Sequence, residues 1–251
     1  MNVIHNIPYT TPADDIRTMD VYLPTSGNGA LFFYVHGGGL EAGDKDEGKW
    51  AAEYLAERGY AVVCINYRMY PAFSYPDFLW DAAEALSFVK NHLQEYGAKR
   101  LYVGGSSAGG YLSMMLCFDE KYLAAYGMSN QHIAGYFHDA GQPTAHFRVL
   151  KSMGIDPRRL IVDETSALYH VGTALDYPRM RFIVSDNDLQ NRYEQTQLML
   201  STLRHFGFEK ADSVLMHGNH CAYITALDEK GESVFGQMIE DFLKTTEGEN
   251  A

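Results

Sequence analysis

The chain of 251 residues carries 32 acidic and 20 basic side chains, a formal net charge of −12 at pH 7, and 46% hydrophobic residues. This composition is ordinary for one globular unit with a sizeable apolar core. The acidic balance argues against binding of nucleic acid and against stable association with an anionic membrane surface, because both would repel the chain. It also disfavours polyanionic ligands, so a neutral small molecule is the better fit.

Targeting and metal-binding patterns are absent from the sequence. Residues 1–12 contain no basic segment followed by an apolar core, and no run approaches 18 apolar residues. We therefore expect a cytoplasmic protein without a signal peptide or a membrane span. The three cysteines, Cys64, Cys117 and Cys221, are widely spaced and predict no disulfide framework. No Cys-x-x-Cys or His-Glu-x-x-His pattern occurs, so we expect neither a metal nor another cofactor.

The chain opens with short strands that lead to a glycine-rich loop. Residues 4–7 and 17–23 are interpreted as two strands of an antiparallel edge. Residues 31–35 form a continuous apolar run, typical of a buried strand, which ends in a His-Gly-Gly-Gly motif at 36–39. Consecutive glycines let the backbone approach a bound molecule closely, with N–H groups free to face it. We expect His36 to shape this loop rather than to titrate.

Three regular elements follow the loop. Residues 49–58 predict a helix, which ends before Gly59, a residue suited to the left-handed position after a helix. Residues 61–66 predict another buried strand. The apolar residues of the segment 79–93 recur at intervals of three and four, so this segment predicts a helix with one apolar stripe.

The most specific motif follows the apolar run at 101–103. There, Gly105-x-Ser107-x-Gly109 separates a predicted strand from a helix-compatible run at 111–117. Strand, tight glycine turn and helix form a nucleophile elbow, in which the central serine is exposed at the apex. Because the turn is strained, a side chain at either flanking glycine would collide with neighbouring backbone. The first amides of the helix would then favour negative charge at the reacting carbon.

Strands and helices continue to alternate after the elbow. Strands are predicted at 133–137, 181–185 and 213–216, and helices at 196–206 and 235–242. The alternation predicts an α/β fold with right-handed crossovers and a doubly wound, mostly parallel sheet of eight strands with helices on both faces. In such sheets, ligands bind beyond the carboxyl ends of the strands, where the glycine loop and Ser107 both fall.

Residues 138–178 interrupt this alternation. They form about forty residues between two predicted strands, longer than an ordinary connection. We interpret them as a small lid-like insertion that partly covers the site, within a single domain spanning 1–251. A surface loop that makes no contact with a ligand is the alternative. His138 and His146, within the insertion, are candidate substrate contacts.

The chain resembles the hormone-sensitive-lipase-like carboxylesterase branch of the α/β-hydrolases over about residues 15–245. Two departures are evident: Ser106 stands where that branch usually has an acidic residue, and the chain starts almost at the sheet, without the usual N-terminal helical cap. The missing cap suggests an open site for small acyl groups. The resemblance rests on the glycine motif at 36–39 and on Tyr67-Arg68-Met69-Tyr70-Pro71, Tyr75-Pro76-Asp77, Asp81-Ala82-Ala83 and Ser107-Ala108-Gly109-Gly110.

The resemblance implies a catalytic triad whose serine, acid and histidine follow in that chain order. Asp186 and Asp188 both follow a predicted strand, and His217 and His220 both follow the next one. By resemblance the acid is Asp188, and Asp186 remains open as its replacement or as a turn former. By the same resemblance the base is His220, since a glycine at short spacing before the histidine matches the family loop, and His217 is a packing group or a group that supports a catalytic residue.

The implied activity is that of a serine carboxylesterase that cleaves short-chain acyl esters through an acyl-enzyme intermediate. The amides of Gly38, Gly39 and Ala108 would hold the oxyanion, and the partner is a small-molecule ester, with sugar-linked acetyl or feruloyl esters included. An amide hydrolase, such as an arylformamidase or a peptidase, is the alternative. A non-catalytic binding protein on the same fold is disfavoured, because serine, acid, base and glycine loop are all present.

Overall fold

All eight strands lie in one sheet of the computed structural model, which describes residues 1–174 and 176–249. The strands are β1 (Asn2–Pro8), β2 (Thr18–Leu23), β3 (Ala30–Val35), β4 (Ala61–Ile65), β5 (Arg100–Ser106), β6 (Gly135–Asp139), β7 (Arg179–Asn187) and β8 (Ala211–Asn219). Their spatial order is β1-β2-β4-β3-β5-β6-β7-β8. The exchange of β3 and β4 places β3 in the interior of the sheet, beside β5.

The sheet is parallel except at one edge. β1 pairs with β2 and β2 with β4 in antiparallel fashion, whereas every pairing from β4–β3 to β7–β8 is parallel. The predicted α/β class, with an eight-stranded and mostly parallel sheet, is therefore confirmed. With the exception of the edge strand β8, which is at most partly buried, the parallel strands are buried on both faces. This burial explains why they read as continuous apolar runs rather than as alternating ones.

Helices cover both faces of the sheet. Successive residues of β3 alternate between two cores: Leu31, Phe33 and Val35 lie in one, and Phe32 and Tyr34 lie in the other. Five of the helices below, α2, α3, α4, α5 and α6, contribute to the first core, and α1 and α7 to the second. The helices are α1 (Lys49–Glu57), α2 (Asp77–Asn91), α3 (Ala108–Phe118), α4 (Lys121–Ala124), α5 (Phe147–Ser152), α6 (Arg192–His205) and α7 (Val234–Glu249).

The long connection between β6 and β7 starts two residues later than the sequence predicts. β6 continues through Asp139, which pairs with Ser106 of β5 and Ile183 of β7, so His138 belongs to a central strand. The connection therefore runs from 140 to 178. It contains α5 and a 3₁₀ turn at Ala167–His170.

Specific contacts tie this connection to the elements around the elbow. The Tyr111 hydroxyl, on α3, donates to the carbonyl of Thr165 at 2.7 Å. The hydroxyls of Tyr70 and Ser152, the latter on α5, lie 2.9 Å apart. The connection thus packs along the carboxyl-end side of the sheet.

The carboxyl ends of four parallel strands carry the residues singled out in the sequence. The glycine loop follows β3, Ser107 follows β5, Asp188 follows β7, and His220 follows β8. Parallel pairing brings these ends to one rim of the sheet, as expected for a doubly wound fold. Over residues 1–174 and 176–249, no helix combines the length and the apolar character needed to cross a bilayer.

Candidate active site

Ser107 occupies a strained turn between β5 and α3. Its backbone has φ 54° and ψ −110°, a combination that L-residues rarely adopt. The Ser107 amide donates to the carbonyl of Asp139 at 2.8 Å and so fixes the turn. A Cβ on Gly109 would lie 2.0 Å from the Val35 carbonyl oxygen, and one on Gly105 would lie 2.5 Å from backbone atoms of Gly109. Only glycine allows β3 to pass this close to the elbow.

Three side chains converge at the turn into a hydrogen-bonded relay. Nε2 of His220 lies 2.8 Å from Oγ of Ser107, and Nδ1 of His220 lies 2.6 Å from Oδ1 of Asp188. Burial opposes ionisation of Asp188, yet hydrogen bonds from His220 and from the amides of Ser185 and Leu189 keep its pKa below the usual value. Because an ionised carboxylate only accepts, we assign the imidazole proton to Nδ1, which leaves Nε2 free to accept from the serine.

The other two candidates of the sequence, Asp186 and His217, pair with each other. Oδ2 of Asp186 lies 2.6 Å from Nδ1 of His217, and Oδ1 accepts from the amide of Gly218 at 2.9 Å. The hydrogen bond from Gly218, followed by that from His217, lowers the pKa of Asp186. The His217 side chain is 91% exposed. The four candidates thus form two separate Asp–His pairs, of which one reaches Ser107.

The glycine loop runs directly beside Ser107. A Cβ on Gly37 would lie 3.3 Å from Cβ of Ser107, so the two backbones are nearly in contact. The amide of Gly37 donates to Oε1 of Glu47 at 2.9 Å, which holds the start of the loop. The carboxylate of Glu47 therefore fixes the position of the loop relative to the elbow.

Three backbone amides near the elbow have no protein acceptor among the residues that the structure describes. Gly38 and Gly39 have φ values of 92° and 66°, which turn successive N–H groups out of the β3 direction. Ala108 is the first residue of α3, where a helix amide has no intrahelical partner. Within residues 1–174 and 176–249, none of these three amides donates to a protein acceptor. They remain available for an anion at this point.

His36 is buried beneath the glycine loop. Its ring stacks on Tyr67 with the centroids 4.4 Å apart, and Nδ1 lies 2.9 Å from the carbonyl oxygen of Gly37. Burial lowers the pKa of His36 to about 4, so the ring is neutral at pH 7. The Tyr67 hydroxyl also donates to the carbonyl of His36 at 3.1 Å. His36 therefore supports the loop from below.

The structure does not expose His138 and His146 to a substrate. His138 is on β6 with its ring in the core and Nδ1 2.9 Å from the Ser113 hydroxyl. His146 caps α5, and its ring packs between those of Tyr111 and Phe147. Burial lowers the pKa of both imidazoles, that of His138 to about 3. Our expectation of substrate contacts is corrected here, because both rings are 1% exposed and are used for packing.

Cys221 follows the histidine of the relay and lies close to it. Its Sγ is 3.6 Å from Nε2 of His220, and its backbone φ is 56°. Burial raises the pKa of the thiol, so it stays protonated and weakly nucleophilic at pH 7. Of these two neighbours of Nε2, the Ser107 hydroxyl is the closer, at 2.8 Å.

Five polar residues near the elbow were not identified from the sequence. Asp139 ends β6 behind Ser107 and pairs with Ser106 of β5. Its carboxylate accepts from the Tyr223 hydroxyl, and the Tyr34 hydroxyl contacts Oγ of Ser106. Glu47, in the loop after the glycine motif, completes the group. The one sequence signal was an acidic residue at the end of the apolar run that became β6. Tyrosines inside apolar runs give no such signal, since they read as core.

Comparison with known proteins points to ester hydrolases. A probable isoprenylcysteine alpha-carbonyl methylesterase of Arabidopsis thaliana is 38% identical over 99 residues, which are 38% of this chain and 21% of that protein. A probable carboxylic ester hydrolase of Mycobacterium tuberculosis is 36% identical over 96 residues, 37% of this chain and 22% of that protein. The matched segments thus span about a fifth of these relatives.

A solved structure and a family match cover more of the chain. The crystal structure of esterase B from Lactobacillus Rhamnosis superimposes with a TM-score of 0.79 at 18% identity, covering 99% of this chain and 87% of that one. At this identity the likeness shows the fold. Residues 19–149, just over half of the chain, match the BD-FAE family, and this stretch includes the glycine loop and the elbow. The chain therefore belongs to the BD-FAE family of the α/β-hydrolases.

Proposed function

We propose that the protein is a serine carboxylesterase that cleaves short-chain acyl esters through an acyl-enzyme intermediate. The observation that carries the proposal is the relay of Ser107, His220 and Asp188, with separations of 2.8 and 2.6 Å. These distances suit transfer of a proton from a nucleophile to its base, with a third group orienting that base. The names of the relatives, a methylesterase and a carboxylic ester hydrolase, support an ester as substrate.

His220 accepts and returns a proton in each half of the reaction. His220 takes the proton of Ser107 through Nε2 while Oγ attacks the ester carbonyl, and Asp188 stabilises the imidazolium that forms. The imidazolium then donates that proton to the departing alcohol, which leaves the acyl group on Ser107. In the second half, His220 deprotonates a water molecule that attacks the acyl-enzyme. The imidazolium then donates the proton taken from water to Oγ of Ser107, and the carboxylic acid departs.

The oxyanion of each tetrahedral intermediate is held by the amides of Gly38, Gly39 and Ala108. Their lack of protein acceptors and the 3.3 Å approach of the neighbouring Gly37 position to Ser107 Cβ support this role. Preorganised donors of this kind contribute about 3 kcal/mol each to stabilisation of the transition state. The start of α3 adds its dipole at the same point.

The connection at 140–178 partly covers the site and restricts the size of the substrate. The Phe147 ring would lie 3.5 Å from a Cβ on Gly39, so it borders the oxyanion amides. Arg148, the next residue, is tied to Glu41 beside the glycine loop by an ion pair of 2.5 Å. An aromatic ring this close to Gly39 limits the space beside the oxyanion amides, which supports short acyl chains.

The first test is a pair of serine variants of the same helix region. We expect Ser107→Ala to reduce kcat on p-nitrophenyl acetate by at least about a thousandfold, because the nucleophile is lost. Ser113→Ala deletes a buried hydroxyl of α3 that bonds His138, and it should keep kcat within about threefold. Only the wild type and Ser113→Ala should react with a fluorophosphonate. Retention of most activity by folded Ser107→Ala would refute the assignment.

The substrate range is tested with p-nitrophenyl esters of two to ten carbons, acetylated sugars and an N-formyl-arylamine. We expect kcat/KM to be highest for the shortest acyl chains and to fall as the chain lengthens. A higher kcat/KM on the N-formyl-arylamine than on every ester would replace the esterase by an amide hydrolase with the same triad.

A further inference from the structure

Five polar side chains form a continuous line behind the nucleophile. They are Glu47, Tyr34, Ser106, Asp139 and Tyr223, and we refer to them as the buried polar line. Tyr34, Ser106, Asp139 and Tyr223 are each at most 5% exposed. None of them is used by the proton transfers of the proposed reaction, so their presence at the elbow requires a separate explanation.

One end of the buried polar line joins the glycine loop to the elbow. Oε1 of Glu47 accepts from the Gly37 amide at 2.9 Å and from the Tyr34 hydroxyl at 2.9 Å. The same hydroxyl lies 3.0 Å from Oγ of Ser106, the residue before the nucleophile. The loop that carries the oxyanion amides and the turn that carries the serine therefore share one set of contacts.

The other end joins the elbow to the histidine loop through Asp139. The carbonyl of Asp139 accepts from the Ser107 amide at 2.8 Å, and its carboxylate accepts from the Tyr223 hydroxyl. Tyr223 lies three residues after His220, in a turn closed by the amide of Ile224 donating to the carbonyl of Cys221 at 3.1 Å. One residue thus contacts both the nucleophile and the segment that positions the base.

The second carboxyl oxygen of Asp139 is not used by the fold. Oδ2 is buried and has no hydrogen-bond partner among the residues that the structure describes. Burial raises the pKa of Asp139 to about 7, although Ser106, Tyr223 and His220 oppose the shift. A buried carboxyl that is only partly satisfied destabilises a fold. Packing alone would be better served by an apolar side chain of similar size.

We propose that Asp139 is a positioning residue that sets the distance between Ser107 and His220 by holding the Ser107 amide and the Tyr223 hydroxyl. The proposal rests on the serine hydrolase function proposed above. Its physical basis is that catalytic groups must be held within about 0.5 Å of their productive geometry, and a displacement of about 1 Å lowers a rate by up to about a hundredfold. Asp139 does not touch the reacting atoms.

The test compares two deletions of a buried tyrosine hydroxyl. Tyr223→Phe removes the donor to Asp139, and we expect kcat on p-nitrophenyl acetate to fall by about 10- to 100-fold with KM changed by less than about threefold. Tyr136→Phe removes a hydroxyl that donates to Asn130 at 2.9 Å from the same strand as Asp139, and kcat should stay within about twofold. Thermal unfolding of both variants separates positioning from general destabilisation.

Variants of Asp139 complete a double-mutant cycle. Asp139→Ala should lower kcat like Tyr223→Phe, the double variant should be no worse than the poorer single one, and Asp139→Asn, which keeps an acceptor, should recover part of the loss. If Asp139→Ala does not fold, the tyrosine comparison decides alone.

The two proposals fail in different ways. If wild-type hydrolysis and fluorophosphonate labelling depend on Ser107, but kcat of folded Tyr223→Phe equals that of Tyr136→Phe, only the positioning role is refuted. Fully additive losses in the cycle refute it too. Activity that does not depend on Ser107 refutes the serine hydrolase itself.

Discussion

Asp186 and Asp188 stand two residues apart at the end of β7 and carry the same functional group in different surroundings. The side chain of Asp188 is 2% exposed and that of Asp186 is 41% exposed. A buried carboxylate interacts strongly with an imidazolium, whereas solvent screens most of the attraction of an exposed pair. The two pairs have the same residue types. They differ in the burial of the carboxylate and in whether the paired histidine contacts Ser107.

Asparagine substitutions at these two positions should lower kcat by unequal factors. Asp188→Asn keeps the shape but lets Nδ1 of His220 accept, so the imidazole presents the wrong tautomer to Ser107. We expect kcat to fall by about three to four orders of magnitude. Asp186→Asn disturbs only the exposed pair and should lower kcat by less than about tenfold. Steady-state rates on p-nitrophenyl acetate check both, and equal losses would contradict the assignment of the acid.

The sequence identified the residues of the relay but left the choice among them to a resemblance. Two carboxyls and two histidines with equal local signals cannot be ranked by spacing, because the decisive quantity is the distance of each from Ser107. The candidate contacts His138 and His146 failed for a related reason. A histidine next to an apolar run can lie in a strand or in a loop, and polarity alone does not distinguish the two.

At the scale of elements, the elbow depends on how closely β3 passes beneath the start of α3. The carbonyl of Val35 occupies the place that a Cβ on Gly109 would need. The hydrogen-bonded pairing of β3 with β5 keeps that carbonyl from moving away. The geometry of the nucleophile is therefore a property of two strands and a helix together, and not of the five-residue motif alone.

Adding one methyl group at this contact should disrupt the site. Gly109→Ala places a Cβ 2.0 Å from the Val35 oxygen, and we expect a loss of at least about 3 kcal/mol in unfolding free energy together with loss of activity. Gly248→Ala, in α7, meets no atom within 4 Å and should leave stability unchanged or slightly raised. Urea denaturation of both proteins measures the difference. A folded, fully active Gly109→Ala would contradict the close contact.

The long elements lie close to the bounds predicted from the sequence, whereas the short elements do not. The predicted strands and the longer helices all occur, with α1 ending one residue before the predicted limit of 58. β6 is displaced, because the apolar run begins at 133 whereas pairing continues through the polar His138 and Asp139. The helices α4 and α5 were not predicted, since four and six residues contain too few turns to show a periodic stripe. The secondary structure of such short segments is determined by their tertiary contacts.

At the scale of the whole molecule, three buried imidazoles, those of His36, His138 and His146, link stability to pH. His36 and His138 are at most 1% exposed, and burial lowers their pKa values to about 4 and about 3. The unfolded chain binds a proton at each near pH 6.5, whereas the folded chain does not. Their contribution to stability is therefore complete above pH 6.5 and is lost as the pH falls towards 4, by about 1.4 kcal/mol per pH unit for each histidine.

This linkage predicts a shallower acid dependence when one buried imidazole is removed. For His138→Asn, the drop in unfolding free energy between pH 6.5 and pH 5 should be smaller than for the wild type by about 2 kcal/mol. His205→Asn, at an exposed position on α6, should follow the wild type. Denaturant titrations at four pH values give these slopes. Parallel curves for all three proteins would contradict neutral burial of His138.

The connection between β6 and β7 contains none of the relay residues, although it lies against the glycine loop. From α5 to about residue 174 it touches the site through side chains such as Phe147, whereas Ser107, Asp188 and His220 directly follow β5, β7 and β8. The segment can therefore be exchanged without replacing any residue of the relay. Grafting its counterpart from a related protein should change which substrates the proposed esterase accepts, while Ser107, Asp188 and His220 are retained.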